Sequence, residues 1–360
     1  MKNRQLYGVL FSGASLLALL LFFANSEGNT TALDDHSSET PIVIEKQRGA
    51  HVFSVETVVD LEPLQRYNLN WITMVSWGFQ DHCDSPEVTH GNGDSLQMRE
   101  YDDNWVKRIQ VARSNGYKVF FKPHLWIQEP AEGQWRSDIF PASDEDWEQW
   151  QESYSSFILR YARVAERAEA EMYCIGVEFT RLTLEKTAFW RALIQEVRKV
   201  YSGQIVYAAN WYKEFENITF WDELDYIGVQ AYFPLTKDKN PSLEQISEGW
   251  DKHLTSLEAI HEKYDRPIVF TEMGYRSTAN SAARPWEWVE YSDNQDNPYS
   301  PKTQANCYQA FFDTVWNQDW LAGVHLWQLR SDFSEGDPDY DLDFTPQGKL
   351  AEVIIASGFE

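Results

Sequence analysis

The chain has 360 residues, 43% hydrophobic and 24% charged, which is enough for one large core and too apolar for disorder over its bulk. Its formal net charge of −25, without a Lys/Arg cluster, excludes a binder that must neutralise nucleic-acid phosphates and disfavours an anionic substrate. A neutral polymer is not repelled, and 16 Trp, 18 Tyr and 20 Phe exceed what cores usually need, as where rings stack on the C–H faces of sugars.

In chain order, Lys2 and Arg4 precede the uncharged run LYGVLFSGASLLALLLFFA, and Ala24 and Ser26 offer small residues for a cleavage after Ser26. Residues 1–26 read as an export signal to the periplasm or the medium. The run is nearly long enough to span a bilayer, so an uncleaved membrane anchor over 7–24 is the alternative. Residues 27–46 are polar and read as a flexible tether.

The domain expected over 47–360 alternates apolar runs with helical patterns. GAHVFS (49–54) is the first strand, a helix follows over about 57–67, and WITMVSW (71–77) is the second strand. DDNWVKRIQVARSNGY is a helix closed by Gly116, ahead of KVFFKPHLW (118–126). A long helix over 143–170 leads into MYCIGVEF (172–179), and FWRALIQEVRKVY into QIVYAANW (204–211). A short helix near 219–224 precedes YIGVQAYF (226–233), and one over 243–264 precedes IVFTEMGY (268–275). A helix near 301–317, AGVHLWQL (322–329) and a helix from about 347 complete the chain. Eight strands, each followed by a helix, predict an α/β protein with parallel strands closed into a single (β/α)8 TIM barrel. No Gly-rich phosphate loop follows the first strand, so a dinucleotide-binding sheet lacks its main signal.

In such a barrel the site forms at the C-terminal ends of the strands. Two glutamates stand out there: Glu178 ends the fourth strand and Glu272 the seventh, each in an apolar run where an unpaired carboxylate is costly. A rim salt bridge, to Arg181 or Arg276, explains either one alone. A pair at one end of one barrel matches glycosidic cleavage, which needs one carboxylic acid at the leaving oxygen and a second carboxylate at the anomeric carbon. Around them the strand ends carry His124 and Trp126 (third), Asn210 and Trp211 (fifth), Tyr232 (sixth), and Trp327 with Gln328 (eighth). These side chains can bond sugar hydroxyls or stack on a ring, although each aromatic taken singly reads as core.

No cofactor is expected, and no catalytic metal, because KPHLW carries one His where metal-dependent barrels pair two. The acidic loop GDPDYDLDF (336–344) reads as solvated rather than as a Ca²⁺ site. Of the three cysteines, Cys174 reads as a small buried hydrophobe, and a Cys83–Cys307 bridge is conceivable.

The blocks YCIGVEF, WRALIQEVRKVYSGQIVYAANW, FWDELDYIGVQAYFPL and VFTEMGYRS resemble glycoside hydrolase family 113, a branch of the clan A retaining glycosidases, over most of residues 48–357. The resemblance implies endo-β-1,4-mannanase activity, with Glu178 as acid/base and Glu272 as nucleophile. Much of the clan has Asn immediately before the acid/base; here that position is Val177. With the N-terminal segment, the resemblance points to an exported enzyme acting on mannan or manno-oligosaccharides, and a monomer is expected. A β-glycanase for glucan, xylan or another cell-wall glycan, and a non-catalytic carbohydrate-binding barrel, are the competing readings.

Overall fold

The computed structural model describes residues 45–53, 61–90, 95–288, 296–334 and 341–360. The export segment, the tether up to residue 44, the start of the helix expected at 57–67 and positions 336–340 of the acidic loop lie outside them. Among the described residues no helix is long and apolar enough to cross a membrane.

Among the described residues ten strands form: β1 (Gln47–Phe53), β2 (Trp71–Met74), β3 (Trp77–Gln80), β4 (Lys118–Phe121), β5 (His124–Ile127), β6 (Met172–Val177), β7 (Gln204–Asn210), β8 (Tyr226–Gln230), β9 (Ile268–Met273) and β10 (Leu321–Arg330). Eight of them close the expected parallel barrel in the order β1-β10-β9-β8-β7-β6-β4-β2. All C-terminal ends therefore meet at one rim.

Two expected strands divide. Pro123 has no N–H to donate to a ladder, so the run from Lys118 breaks there into β4 and β5. The segments stay side by side, because the Lys122 and His124 amides donate to the Met74 and Ser76 carbonyls at 2.9 and 2.8 Å. Beyond the break, β3 and β5 form a separate two-stranded sheet pairing Trp77 with His124 and Phe79 with Trp126. That sheet prolongs one wall of the barrel past the rim.

The helices are α1 (Ser95–Ser114), α2 (Asp144–Ala168), α3 (Thr180–Glu185), α4 (Thr187–Arg198), α5 (Leu243–Tyr264), α6 (Pro301–Thr314) and α7 (Leu350–Gly358). Their starts follow local chemistry: the Ser143 side chain accepts from the Asp146 amide to begin α2, and Ser242 with Gln245 forms a capping box at α5. The helix expected near 219–224 is a single 3-10 turn, Trp221–Glu223, and α3 has no counterpart among the expected elements. Lys46, assigned to the tether, is tied to the barrel instead, donating to the Trp316 and Gln318 carbonyls.

Inside the barrel Trp71, Phe120, Met172, Cys174, Val177, Val206, Ala208 and Val269 pack together. The larger core lies between barrel and helices and absorbs Trp150, Trp190, Trp221 and Trp250, each fully buried. Much of the aromatic surplus is thus structural, each ring contributing roughly 1.5–3 kcal/mol by burial. Cys83, Cys174 and Cys307 are all free and buried, so the conceivable Cys83–Cys307 bridge does not form.

Candidate active site

Both strands that carry the glutamates contain one residue more than their neighbours just before the carboxylate. On β9, Phe270 faces Val229 of β8 and Glu272 faces the next residue, Gln230. Val269 points into the barrel and Phe270 out to the helices, so strict alternation would turn Glu272 outward. The extra residue brings Glu272 to the inner side, and Met273 returns to the outer core. On β6 the same happens: Cys174 and Val177 both lie inside the barrel and pair with Val206 and Ala208. Glu178 then adopts φ +60°, a left-handed conformation uncommon for a residue with a side chain.

Glu272 is 4% exposed and held at both oxygens. Lys122 Nζ donates to Oε1 at 2.5 Å, and Tyr232 Oη donates to Oε2 at 2.8 Å. Lys122 is itself wholly buried and also donates to Gln230 Oε1 at 3.1 Å and the Thr271 carbonyl at 3.3 Å. His51 Nε2 and His124 Nε2 stand 3.8 and 3.6 Å from Glu272 Oε1. Burial first, then the Lys122 charge, pushes both imidazoles well below their usual range, so they stay neutral. His51 Nδ1 lies 3.2 Å from the Leu326 carbonyl, which fixes the proton there and leaves Nε2 to accept from Lys122. Burial and the adjacent Glu272 charge push the Tyr232 phenol well up, keeping its hydrogen in place.

Glu178 is 8% exposed and, among the described residues, held at one oxygen only. Trp135 Nε1 and Arg136 Nη2 both donate to Oε2, at 3.0 and 2.9 Å. The Arg136 guanidinium lies over the Trp135 ring, 4.5 Å from its centre, so the two donors support each other. Neither glutamate uses the neighbouring arginine considered above: Arg181 pairs with Glu185, and Arg276 Nε donates to the Leu342 carbonyl.

The remaining strand-end residues divide. Trp327 is half-buried above the Lys122 cluster, edge-on to His51 and Phe53 at 4.9 and 5.2 Å and parallel to His124 at 6.3 Å. The peptide bond from Trp327 to Gln328 is cis. Trp126 is exposed on β5, with Trp77 and Trp135 edge-on to it. Trp211 stacks on Trp286, which reaches over from the connection after β9, at 5.1 Å. Asn210 is committed locally, its Oδ1 accepting the Tyr212 amide at 3.1 Å, and Gln328 turns to Asp343 at 3.3 Å.

Four residues were not anticipated: His51, Lys122, Trp135 and Arg136. Lys122 had a signal, since it shares inward parity with Phe120 and follows the buried apolar run Val119–Phe121. His51 was visible as a strand-end residue of the first run. Trp135 and Arg136 sit in a connection with no periodicity to place them.

No curated protein matches the chain. Among solved structures, a glycoside hydrolase family 113 β-1,4-mannanase determined as a complex is 27% identical and has a TM-score of 0.73, covering 88% of this chain and 99% of its own. The family 113 β-mannanase AaManA from Alicyclobacillus acidocaldarius, in complex with ManMIm, is 27% identical over 87% of this chain and 97% of its own, also at 0.73. A β-glucuronidase from Ruminococcus gnavus, 14% identical at 0.56 and covered over 50% of its length, shares the fold alone. Residues 44–349 match the profile of Glycoside Hydrolase Family 113. Because that match takes in every barrel strand and both glutamates, the chain is a glycoside hydrolase and belongs to family 113.

Proposed function

We propose that this glycoside hydrolase cleaves β-1,4-mannosidic linkages in mannan or manno-oligosaccharides with net retention, by double displacement. The observation that carries the reading is the unequal support of two buried carboxylates at one rim. Glu272 is clamped at both oxygens by Lys122 and Tyr232, which aim an ionised nucleophile. Glu178 is held only at Oε2, and no hydrogen bond engages its Oε1 among the described residues, leaving that atom for the glycosidic oxygen.

In the first half-reaction Glu272 attacks the anomeric carbon and Glu178 gives its proton to the departing oxygen. In the second, Glu178 takes a proton from water, which attacks the glycosyl-enzyme and frees Glu272. Trp327, beside both histidines, serves as the floor under the sugar being cleaved. The similar solved β-1,4-mannanases support mannan as the substrate. Val177 is buried inside the barrel, so the 2-hydroxyl, axial in mannose, must find its contact elsewhere.

Reducing ends released from β-1,4-mannan, β-glucan and xylan test the substrate, and proton NMR of the first-formed anomer tests the stereochemistry. Release from mannan with a β product is expected. Activity confined to glucan or xylan sinks the substrate assignment, and an α product sinks retention. Export, or anchoring through residues 7–24, is part of the same reading. The secreted form should begin at Glu27, which N-terminal sequencing reads; an intact, membrane-bound chain assigns the segment as an anchor instead.

A further inference from the structure

One buried carboxylate near the site takes no part in the double displacement. Glu214, in the connection after β7, is wholly buried and accepts four hydrogen bonds. They come from Tyr207 Oη at 2.6 Å, the Asn210 amide at 2.7 Å, Thr183 Oγ1 at 2.9 Å and Thr180 Oγ1 at 3.1 Å. No ion pair engages Glu214 among the described residues. Apolar packing of equal volume commonly serves a fold as well or better than a buried charge, so this glutamate invites a functional reason.

Three of these partners adjoin the Glu178 turn. Thr180 and Thr183 belong to α3, which begins two residues after Glu178. Tyr207 Oη, while donating to Glu214, accepts the Phe179 amide at 2.7 Å. The Glu178 amide itself donates to the Ala208 carbonyl at 2.9 Å. The left-handed turn at φ +60° is therefore pinned at its own N–H and at the next one, and Glu214 orients the group that makes the second bond. Gly176 serves the same arrangement, since a Cβ there would lie 2.8 Å from Tyr207 Cε2. Glu272 shares none of these partners.

We infer that Glu214 is a positioning residue for Glu178: through Tyr207 and α3 it holds the backbone turn that aims the proton-transferring carboxyl at the scissile oxygen. The inference rests on Glu178 being the acid/base. Glu214→Gln keeps one acceptor in place, and Tyr207→Phe keeps the ring while cutting the link to Phe179, so the pair guards against a variant that merely fails to fold.

Each variant is compared with the parent on mannotetraose, whose leaving group needs a proton, and on a 2,4-dinitrophenyl β-mannobioside, whose leaving group does not. Thermal melts verify folding. If Glu214 acts through Glu178, kcat/KM on mannotetraose falls about tenfold or more while kcat/KM on the dinitrophenyl substrate stays within about threefold. Parallel losses on both substrates, or no loss on either, overturn the inference. Crystal structures of the variants give a reading independent of turnover. Glu178 is expected to leave φ +60° or to lose Trp135 and Arg136, and an unchanged Glu178 overturns the positioning role. A parent enzyme inactive on both substrates refutes the functional reading, while the crystallographic arm still decides what Glu214 holds.

Discussion

At the scale of single residues, three buried groups respond differently to removal. Lys122 is the direct counter-ion of Glu272, so Lys122→Met leaves a buried carboxylate without its cation. Breaking such a pair costs about 3–5 kcal/mol, and denaturant unfolding is expected to register that loss together with the loss of turnover. Tyr232→Phe removes one charge-assisted hydrogen bond, worth about 1.5–3 kcal/mol, from Glu272. Its expected signature is a fall in kcat of about ten- to a hundredfold with a smaller loss of stability than Lys122→Met shows, and an unchanged kcat would return Tyr232 to the core. Glu214 gives a signature in pH. Burial pushes its carboxyl up to about 7, the hydrogen bonds from Tyr207, Asn210 and Thr183 pull it back, and nearby Glu178 adds to the rise. Between pH 4.5 and about 7 the folded chain therefore holds a proton that the unfolded chain has released. Stability falls as pH rises through that window, by up to about 3 kcal/mol. The stability-versus-pH curve of Glu214→Gln is expected to be flatter there, whatever its absolute level. An identical slope in parent and variant would mean that another group titrates.

At the scale of elements, the legible parts are those governed by a single rule. Barrel strands buried on both faces read as continuous apolar runs, which is why all eight were found and why Glu178 and Glu272 stood out within them. The rule fails where an element changes state. Pro123 divides one run into two strands, and the wall made by β3 and β5 follows from that break rather than from any propensity. The bulges in β6 and β9 are equally silent, because an apolar run shows no alternation to interrupt. Trp135, Arg136 and Glu214 were missed because irregular connections leave no periodic trace, and only tertiary proximity brings them to the Glu178 turn. The β6 bulge also carries a prediction. Gly176→Ala places a Cβ 2.8 Å from Tyr207 Cε2 and 3.0 Å from the Trp190 ring. Overpacking of this kind typically costs about 1–3 kcal/mol, measurable as a lower denaturation midpoint, and turnover is expected to fall with it as Tyr207 moves.

At the scale of the whole molecule, the two glutamates are separated by what each rescues. Both Glu178→Ala and Glu272→Ala are expected to lose most activity while remaining folded. With an activated substrate, Glu178→Ala still forms the glycosyl-enzyme, and azide releases it as the β-glycosyl azide. Glu272→Ala forms no covalent intermediate, so azide attacks directly and gives the α-azide. The identity of the azide product, read by NMR, checks both roles in one experiment, and the same anomer from both variants would refute the assignment. The barrel itself explains why such chemistry gathers at one end. Deep inside, every strand is hydrogen-bonded on two sides, and an added residue would put all later side chains out of phase with both neighbours. Near the open end few pairings remain downstream, so the phase error is confined to a residue or two. In β6 and β9 that tolerance lets each glutamate point the same way as the residue before it, Val177 and Thr271. For the same reason, a one-residue deletion just before either glutamate is a rotation of its carboxyl by half a turn, not a shortening of the strand.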